Sequence, residues 1–191
     1  MKTALIVVGI AVSAASASAK TYDIDPAHSS VSFRVRHLVT KVRGRFDKFS
    51  GAIEYDKRAP ETWKAVVDID PASINTNVAK RDDHLRSADF FDVGKCSKMS
   101  FVTTKVDAVK GDSAKLHGEL TMHCVSKPVT LDMQIGGEEK DPAGRVHFGA
   151  SATGKLNRKD WGVSWNKILA SGGVMLGEEV ELAIDVEALP R

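Results

Sequence analysis

Two cysteines, six histidines and one short charged block are the residues of this chain whose types and spacing could do chemistry. Cys96 and Cys124 could join as a disulfide, stay as separate buried thiols, or work as a redox pair; no Cys-x-x-Cys spacing supports the last. His28, His37, His84, His117, His123 and His147 could bind a metal or move protons. None of them falls in a His-x-Glu, His-Glu-x-x-His or cysteine–histidine zinc pattern, so no metal site is assigned. His117, His123 and Cys124 form the set to watch, because the two histidines fall on one face of a strand. Arg81-Asp82-Asp83-His84, beside Phe90-Phe91, could touch a polar head group or could simply fix an element junction. Ser164-Trp165-Asn166-Lys167 satisfies Ser-x-x-Lys, but its Ser-Asp-Asn and Lys-Thr-Gly companions are absent. There is no Gly-x-Ser-x-Gly elbow, phosphate loop or dinucleotide fingerprint. Neither a catalytic residue nor a cofactor is expected.

The elements that must position these residues follow a period of two. Val31, Phe33 and Val35 alternate with Ser32, Arg34 and Arg36; Ile53 and Tyr55 alternate with Glu54 and Asp56. The habit recurs at Ala65–Val67–Ile69, Met99–Phe101–Thr103, Leu116–Leu120–Met122, Val129–Leu131–Met133–Ile135, Val146–Phe148–Ala150 and Val180–Leu182–Ile184–Val186. Eight or so strands with one apolar face each define an all-β protein, either a sandwich or a barrel. Lys110-Gly111-Asp112, Gly136-Gly137 and Asp141-Pro142-Ala143-Gly144 supply turn chemistry. One short helix is expected over Asn77–Ser87, capped by Thr76 or Asn77 and closing one end of the fold. A hairpin about Lys110-Gly111 pairs positions summing to about 220 or 221, which sets Cys96 nearly opposite Cys124. A disulfide is therefore expected.

Residues 1–19 have the pattern of a cleaved export signal: Lys2, an apolar run from Leu5 to Val12, and Ala17-Ser18-Ala19 before Lys20. The run is too short to span a bilayer as a helix, and residues 20–191 are expected to form one domain without stable membrane insertion. The 27 basic and 25 acidic residues nearly balance and are interspersed, which offers no electrostatic reason for nucleic acid or an anionic membrane as a partner.

The chain resembles the YceI-like family of bacterial periplasmic lipid- or polyisoprenoid-binding proteins. Tyr22-Asp23-Ile24-Asp25, His28-Ser29, Val31-Ser32-Phe33 and His37-Leu38 carry the opening of the resemblance. Gly44-Arg45-Phe46, Phe49-Ser50-Gly51 and Ser73-Ile74-Asn75-Thr76 continue it, and the run Arg81 to Asp92 is its most specific block. Gly118-Glu119-Leu120-Thr121, Lys127 to Leu131 and Leu156 to Gly162 follow in order. Cys96 stands where the family usually has an aromatic, Cys124 where it has a glycine, and Trp161 where a Phe is more typical.

The resemblance implies a lipocalin-like antiparallel barrel of about eight strands in the periplasm, with an isoprenoid-like lipid as partner; pairing into a homodimer is left open by the sequence. In a small barrel alternate side chains point inward. The lumen and ligand-contact candidates are Phe33, Val35, Ile53, Val67, Phe101, Leu120, Met122, Leu131, Met133, Phe148 and Ile184. On the residues alone, a filled core is as good a reading as a ligand cavity. Met99, Met122, Met133 and Met175 suit an adaptable apolar wall.

Overall fold

The computed structural model describes residues 19–191; residues 1–18 of the expected signal lie outside the described part. The alternating segments fold into eleven strands: β1 (Lys20–Ile24), β2 (Ser30–His37), β3 (Thr40–Phe46), β4 (Phe49–Tyr55), β5 (Lys64–Ile69), β6 (Ile74–Asn75), β7 (Met99–Lys110), β8 (Ser113–Met122), β9 (Val125–Lys140), β10 (Val146–Asn157) and β11 (Leu176–Pro190). One helix, α1 (Ala79–Arg86), sits between β6 and β7.

Every strand pair is antiparallel, and the circuit β1-β4-β5-β7-β8-β9-β10-β11 returns to β1. The fold is a closed eight-stranded barrel. β2, β3 and β6 lengthen it at one end: β2 pairs with the first part of β11, β3 with β2, and β6 with β3. β1 and β2 thus share one edge of the fifteen-residue β11 and behave as one strand interrupted by the turn at residues 25–29. Closure leaves no sheet edge around that circuit.

The turn at Asp141–Gly144 forms as expected. Its carboxylate accepts the backbone N–H groups of Ala143 and Arg145, both at 2.9 Å, and the Arg145 backbone bond leads the causes that hold its pKa down at about 2. Gly136-Gly137 is different. It lies inside β9 and makes no turn; the pairing shifts between Gly149 and Ala150 of β10, leaving Gly136 as the extra residue of a bulge. Gly137 has φ +80°, a conformation that serves a bulge as well as a turn.

α1 also begins later than expected, with Val78 at its N-cap and neither Thr76 nor Asn77 in that role. The reason is Asp82. Its buried carboxylate accepts both the backbone N–H of Thr76, at 2.9 Å, and the Thr76 hydroxyl, at 2.5 Å. That uses up the threonine, and Asn77 turns through φ +63° to start the helix one residue further on.

The interior has two parts. At the end remote from α1, Tyr22, Tyr55, Trp63 and Phe148 stack into a plug, with ring centroids 4.7 Å apart for Tyr55–Trp63 and Tyr55–Phe148 and 5.2 Å for Tyr22–Phe148. At the α1 end, Phe46, Ile69, Ile74, Met99, Leu120, Met122, Leu156 and Trp161 form a second cluster. Such packing is the main stabilising term, at about 25 cal/mol per Å² of apolar surface buried.

Candidate functional site

Between these clusters the barrel is hollow. An inner chamber of about 160 Å³ and an outer one of about 220 Å³ adjoin, sharing Phe33, Phe46, Met99 and Leu182 in their walls. Together they fall within the range usual for small-molecule sites, about 300–1,000 Å³. A wider polar depression of about 520 Å³ lies beside α1 among Asp47, Asp70, Asn75, Asp83 and Arg86. Its walls are charged and open, so it lacks the apolar enclosure of the barrel chambers.

All eleven lumen candidates line the two chambers. Ile53, Val67, Phe101, Leu120, Leu131, Met133, Phe148 and Ile184 face the inner one; Val35 and Met122 face the outer; Phe33 borders both. Phe33 can lie across its neighbour β3 because its partner there is Gly44, where a Cβ would stand 2.4 Å from the ring. The four methionines also reach the cavity: Met99 in both chambers, Met133 in the inner, Met122 and Met175 in the outer.

The two chambers differ in polarity. The inner one has only Ser32, Lys64 and Ser151 among its polar residues. The outer one has His37, Thr76, Arg81, His84 and Arg158, and its lining contains no Asp or Glu. Arg158 is the extreme case, only 4 % exposed. Its Nε–H donates to the Gly177 carbonyl (2.9 Å) and its Nη1–H to that of Val163 (2.6 Å), while Nη2 has no partner among the described residues. Burial pulls the guanidinium pKa down, and the nearby charge of Glu178 opposes that pull.

α1 and the connection after it roof the outer chamber with Leu85, Phe90 and Phe91. His84 packs edge-on against Phe90 (5.0 Å) and Trp165 (4.9 Å), and its Nε2 meets Asp89 at 2.8 Å. The block at 81–84 fixes the element junction, and two of its residues also line the chamber. Arg81 and His84 face the chamber, yet Arg81 also donates to the Thr76 hydroxyl (2.7 Å) and carbonyl (2.8 Å), and Asp82 ties the helix to Thr76 just after β6. Arg86 donates to the carbonyls of Ala72 (2.7 Å) and Ile74 (3.0 Å).

The Cys96–Cys124 disulfide forms, with a Cα separation of 5.3 Å. The expected register holds at the open end of the hairpin, from Ser100–Thr121 to Thr103–Gly118, before shifting by one at Lys105–His117. Neither cysteine belongs to the β7–β8 ladder itself. The bond joins the α1–β7 connection to the β8–β9 turn, and so fastens the roof to the barrel.

The set His117, His123 and Cys124 does not converge. His117 meets Thr130 (2.9 Å) and Asp107 (3.1 Å), whereas His123, at φ +50° in the β8–β9 turn, donates from Nδ1 to the Trp161 carbonyl (2.9 Å). Cys124 is spent in the disulfide. His28 and His147 instead enter a surface network. His28 bonds Asp25 at 2.7 Å, His147 bonds Glu187 at 2.8 Å, and the backbone N–H of Asp25 donates to the Glu187 carbonyl at 2.9 Å, pinning the β1–β2 turn to β11. Ser164 and Lys167 are exposed, and Asn166 clamps the start of β11 through both the N–H and the carbonyl of Leu176.

Sequence reasoning set a helix over one end with Phe90-Phe91 beside it, but missed Leu85, Val163, Trp165 and Leu176, with Arg158 among them, as chamber wall. Adjacent aromatics at 90–91 in an otherwise polar stretch were the available signal; the irregular segment at 162–175 offered none.

A closed antiparallel barrel with an apolar interior and a helical roof is the class that fold and cavity define. The YceI-like domain model matches residues 22–188, and the chain belongs to that family. A UPF0312 protein of Staphylococcus aureus (strain MSSA476) is 39 % identical over 168 residues, covering 87 % of this chain and 95 % of that protein. The crystal structure of a Campylobacter jejuni YceI protein superimposes with a TM-score of 0.70 at 34 % identity, over 82 % of this chain and 90 % of that one. A polyisoprenoid-binding domain from Saccharophagus degradans shares the fold, with a TM-score of 0.64 at 18 % identity over 89 % and 98 %.

Proposed function

We propose that this protein is an exported carrier or reservoir that sequesters an isoprenoid-like lipid, a polyprenyl or quinone tail, inside the barrel. The observation that carries the reading is the pair of adjoining apolar chambers, plugged by aromatics at one end and with most of their polar groups gathered toward the other. Membership of the YceI-like family supports it, as does the fold shared with a domain described as polyisoprenoid-binding. Residues 1–19 would direct the chain to the periplasm, and residues 20–191 would be the working domain.

Binding in this scheme needs no bond chemistry. The tail enters the inner chamber and meets Ile53, Val67, Phe101, Leu120, Leu131, Met133, Phe148 and Ile184, and the hydrophobic effect supplies the driving force. Phe33, Val35 and Met122 contact the segment nearer the roof. The head lies under α1, where Arg81 and Arg158 offer N–H donors in a wall that contains no Asp or Glu, and where the Arg158 Nη2 is unpartnered among the described residues. Uptake and release without turnover separate this role from that of an enzyme.

The experiment is displacement of an environment-sensitive apolar dye by prenyl alcohols of increasing length. Affinity rising with each isoprene unit, then levelling once both chambers are filled, is the expected result. Affinity independent of chain length would overturn the reading.

A further inference from the structure

Two loops meet at the outer chamber and present apolar side chains to solvent. The β2–β3 turn carries Leu38 and Val39, 42 % and 96 % exposed; the irregular segment at 162–175 before β11 carries Ile168 and Val174, 83 % and 37 % exposed. They form one row. The Leu38 N–H donates to the Met175 carbonyl at 2.8 Å, His37 pairs with Leu176, and Ile168 bridges Val174. Immediately behind the row, His37, Val42, Met175 and Leu176 line the outer chamber. The other exposed large apolar residues, Val66, Val78 and Val102, lie elsewhere.

Basic residues gather around this row. On the outer face of the β2–β3 hairpin, Arg34 lies opposite Arg43 and Arg36 opposite Lys41. Like charges directly across a ladder destabilise it. Lys41 pairs with Glu181, which also lies beside Arg34. Arg36, Arg43 and Lys167 make no ion pair among the described residues, and neither loop, 36–43 or 164–175, contains an acidic residue. Near-neutral overall composition gives no sign of this patch.

We propose that the β2–β3 turn and the 164–175 loop dock this protein on an anionic phospholipid bilayer, with Leu38, Val39, Ile168 and Val174 dipping among the acyl chains. Arg36, Arg43 and Lys167 face the lipid phosphates. The mouth of the outer chamber is then set against the membrane, so a tail can pass between bilayer and barrel with little exposure to water. This deepens the carrier reading and depends on it for its purpose; the docking itself can be measured alone. Contact is shallow and reversible, as apolar tips with a basic flank generally give.

Flotation with phosphatidylcholine vesicles, with and without phosphatidylglycerol, tests the proposal on the folded, oxidised protein. Association is expected with the anionic vesicles and should weaken as salt rises. Removing one cation, as in Arg36→Ser or Arg43→Ser, should lower partitioning about fivefold. The double change Val39→Asp with Ile168→Asp should lower it by more than tenfold, since each side chain loses its apolar transfer and gains a repelled charge. All four positions are exposed, so the fold is expected to survive, and circular dichroism checks that it does. No association, or equal association of parent and double variant, overturns the proposal. So does a dimer of the parent that the aspartates split without vesicle binding in either form, which would assign the row to a second copy of this chain. Lipid extraction from the same samples keeps the two readings apart: loss of docking with a filled lumen removes only the docking, whereas docking with an empty lumen removes the carrier role.

Discussion

Replacing both cysteines, Cys96→Ser with Cys124→Ser, tests whether the roof is held by the disulfide or by its own contacts. The bond spans 28 residues that include α1 and the Phe90–Phe91 pair. Cross-linking a loop of that length removes about 12 cal/mol/K from the unfolded chain, or about 3.6 kcal/mol at 25 °C. In a domain of this size each kcal/mol moves the midpoint by about 2–4 °C, so the variant should melt about 7–14 °C lower. The assay is urea denaturation followed by tryptophan fluorescence, beside thermal melting, of oxidised parent and variant. Trp165 and Trp161 flank the roofed end and report on it directly. Bound lipid should also leave the variant faster, because the released segment carries His84, Leu85, Phe90 and Phe91 of the chamber wall. A stability change below about 1 kcal/mol with an unchanged release rate would refute the reasoning. It would mean that Asp82, Arg81 and Arg86 hold the roof unaided.

Three further perturbations address the lumen, the packing and the surface. Ala152→Phe places a ring in the inner chamber, where Ala152 is a wall residue, and should exclude the longest tails while short ones still bind; a displacement series against chain length reads this directly. Trp161→Phe removes the buried indole N–H that donates to the Leu120 carbonyl at 2.9 Å; denaturation should show a loss of about 0.5–1.5 kcal/mol. Proton NMR titration should find the His28 pKa above 6.5, raised chiefly by its hydrogen bond to Asp25, and Asp25→Asn should return it toward that value. The raised folded-state value means that the stabilisation is complete below the unfolded pKa and is lost as pH climbs through the folded one.

Much of this architecture is written in the alternation of side chains. Where a strand buries one face, as along β8 and β9, every second residue must be apolar, and Leu116, Leu120, Leu131 and Met133 could be placed inward from that alone. Closure could not be read so directly. It depends on β11 serving two partners along one edge, and on short pieces such as β6, which are too brief to show a period. Gly136-Gly137 misled for a local reason: a bulge and a turn make the same demand on the backbone, and only the partner strand decides between them. The helix start shifted because a side chain inside the helix claimed the expected cap. The chamber's far wall and the exposed row were hidden because both are assembled from irregular segments distant in sequence. Charge interspersed along the chain gave no warning that β2 and β3 would gather their basic residues on one face.

The central claim is that the interior holds an apolar lipid. Native mass spectrometry of the protein isolated from its own host, followed by organic extraction and lipid identification, tests it most directly. The account predicts a stoichiometric apolar adduct that is released only on unfolding and carries an isoprenoid-like chain. A mass corresponding to protein alone, unchanged after incubation with polyprenyl and quinone lipids, would contradict it.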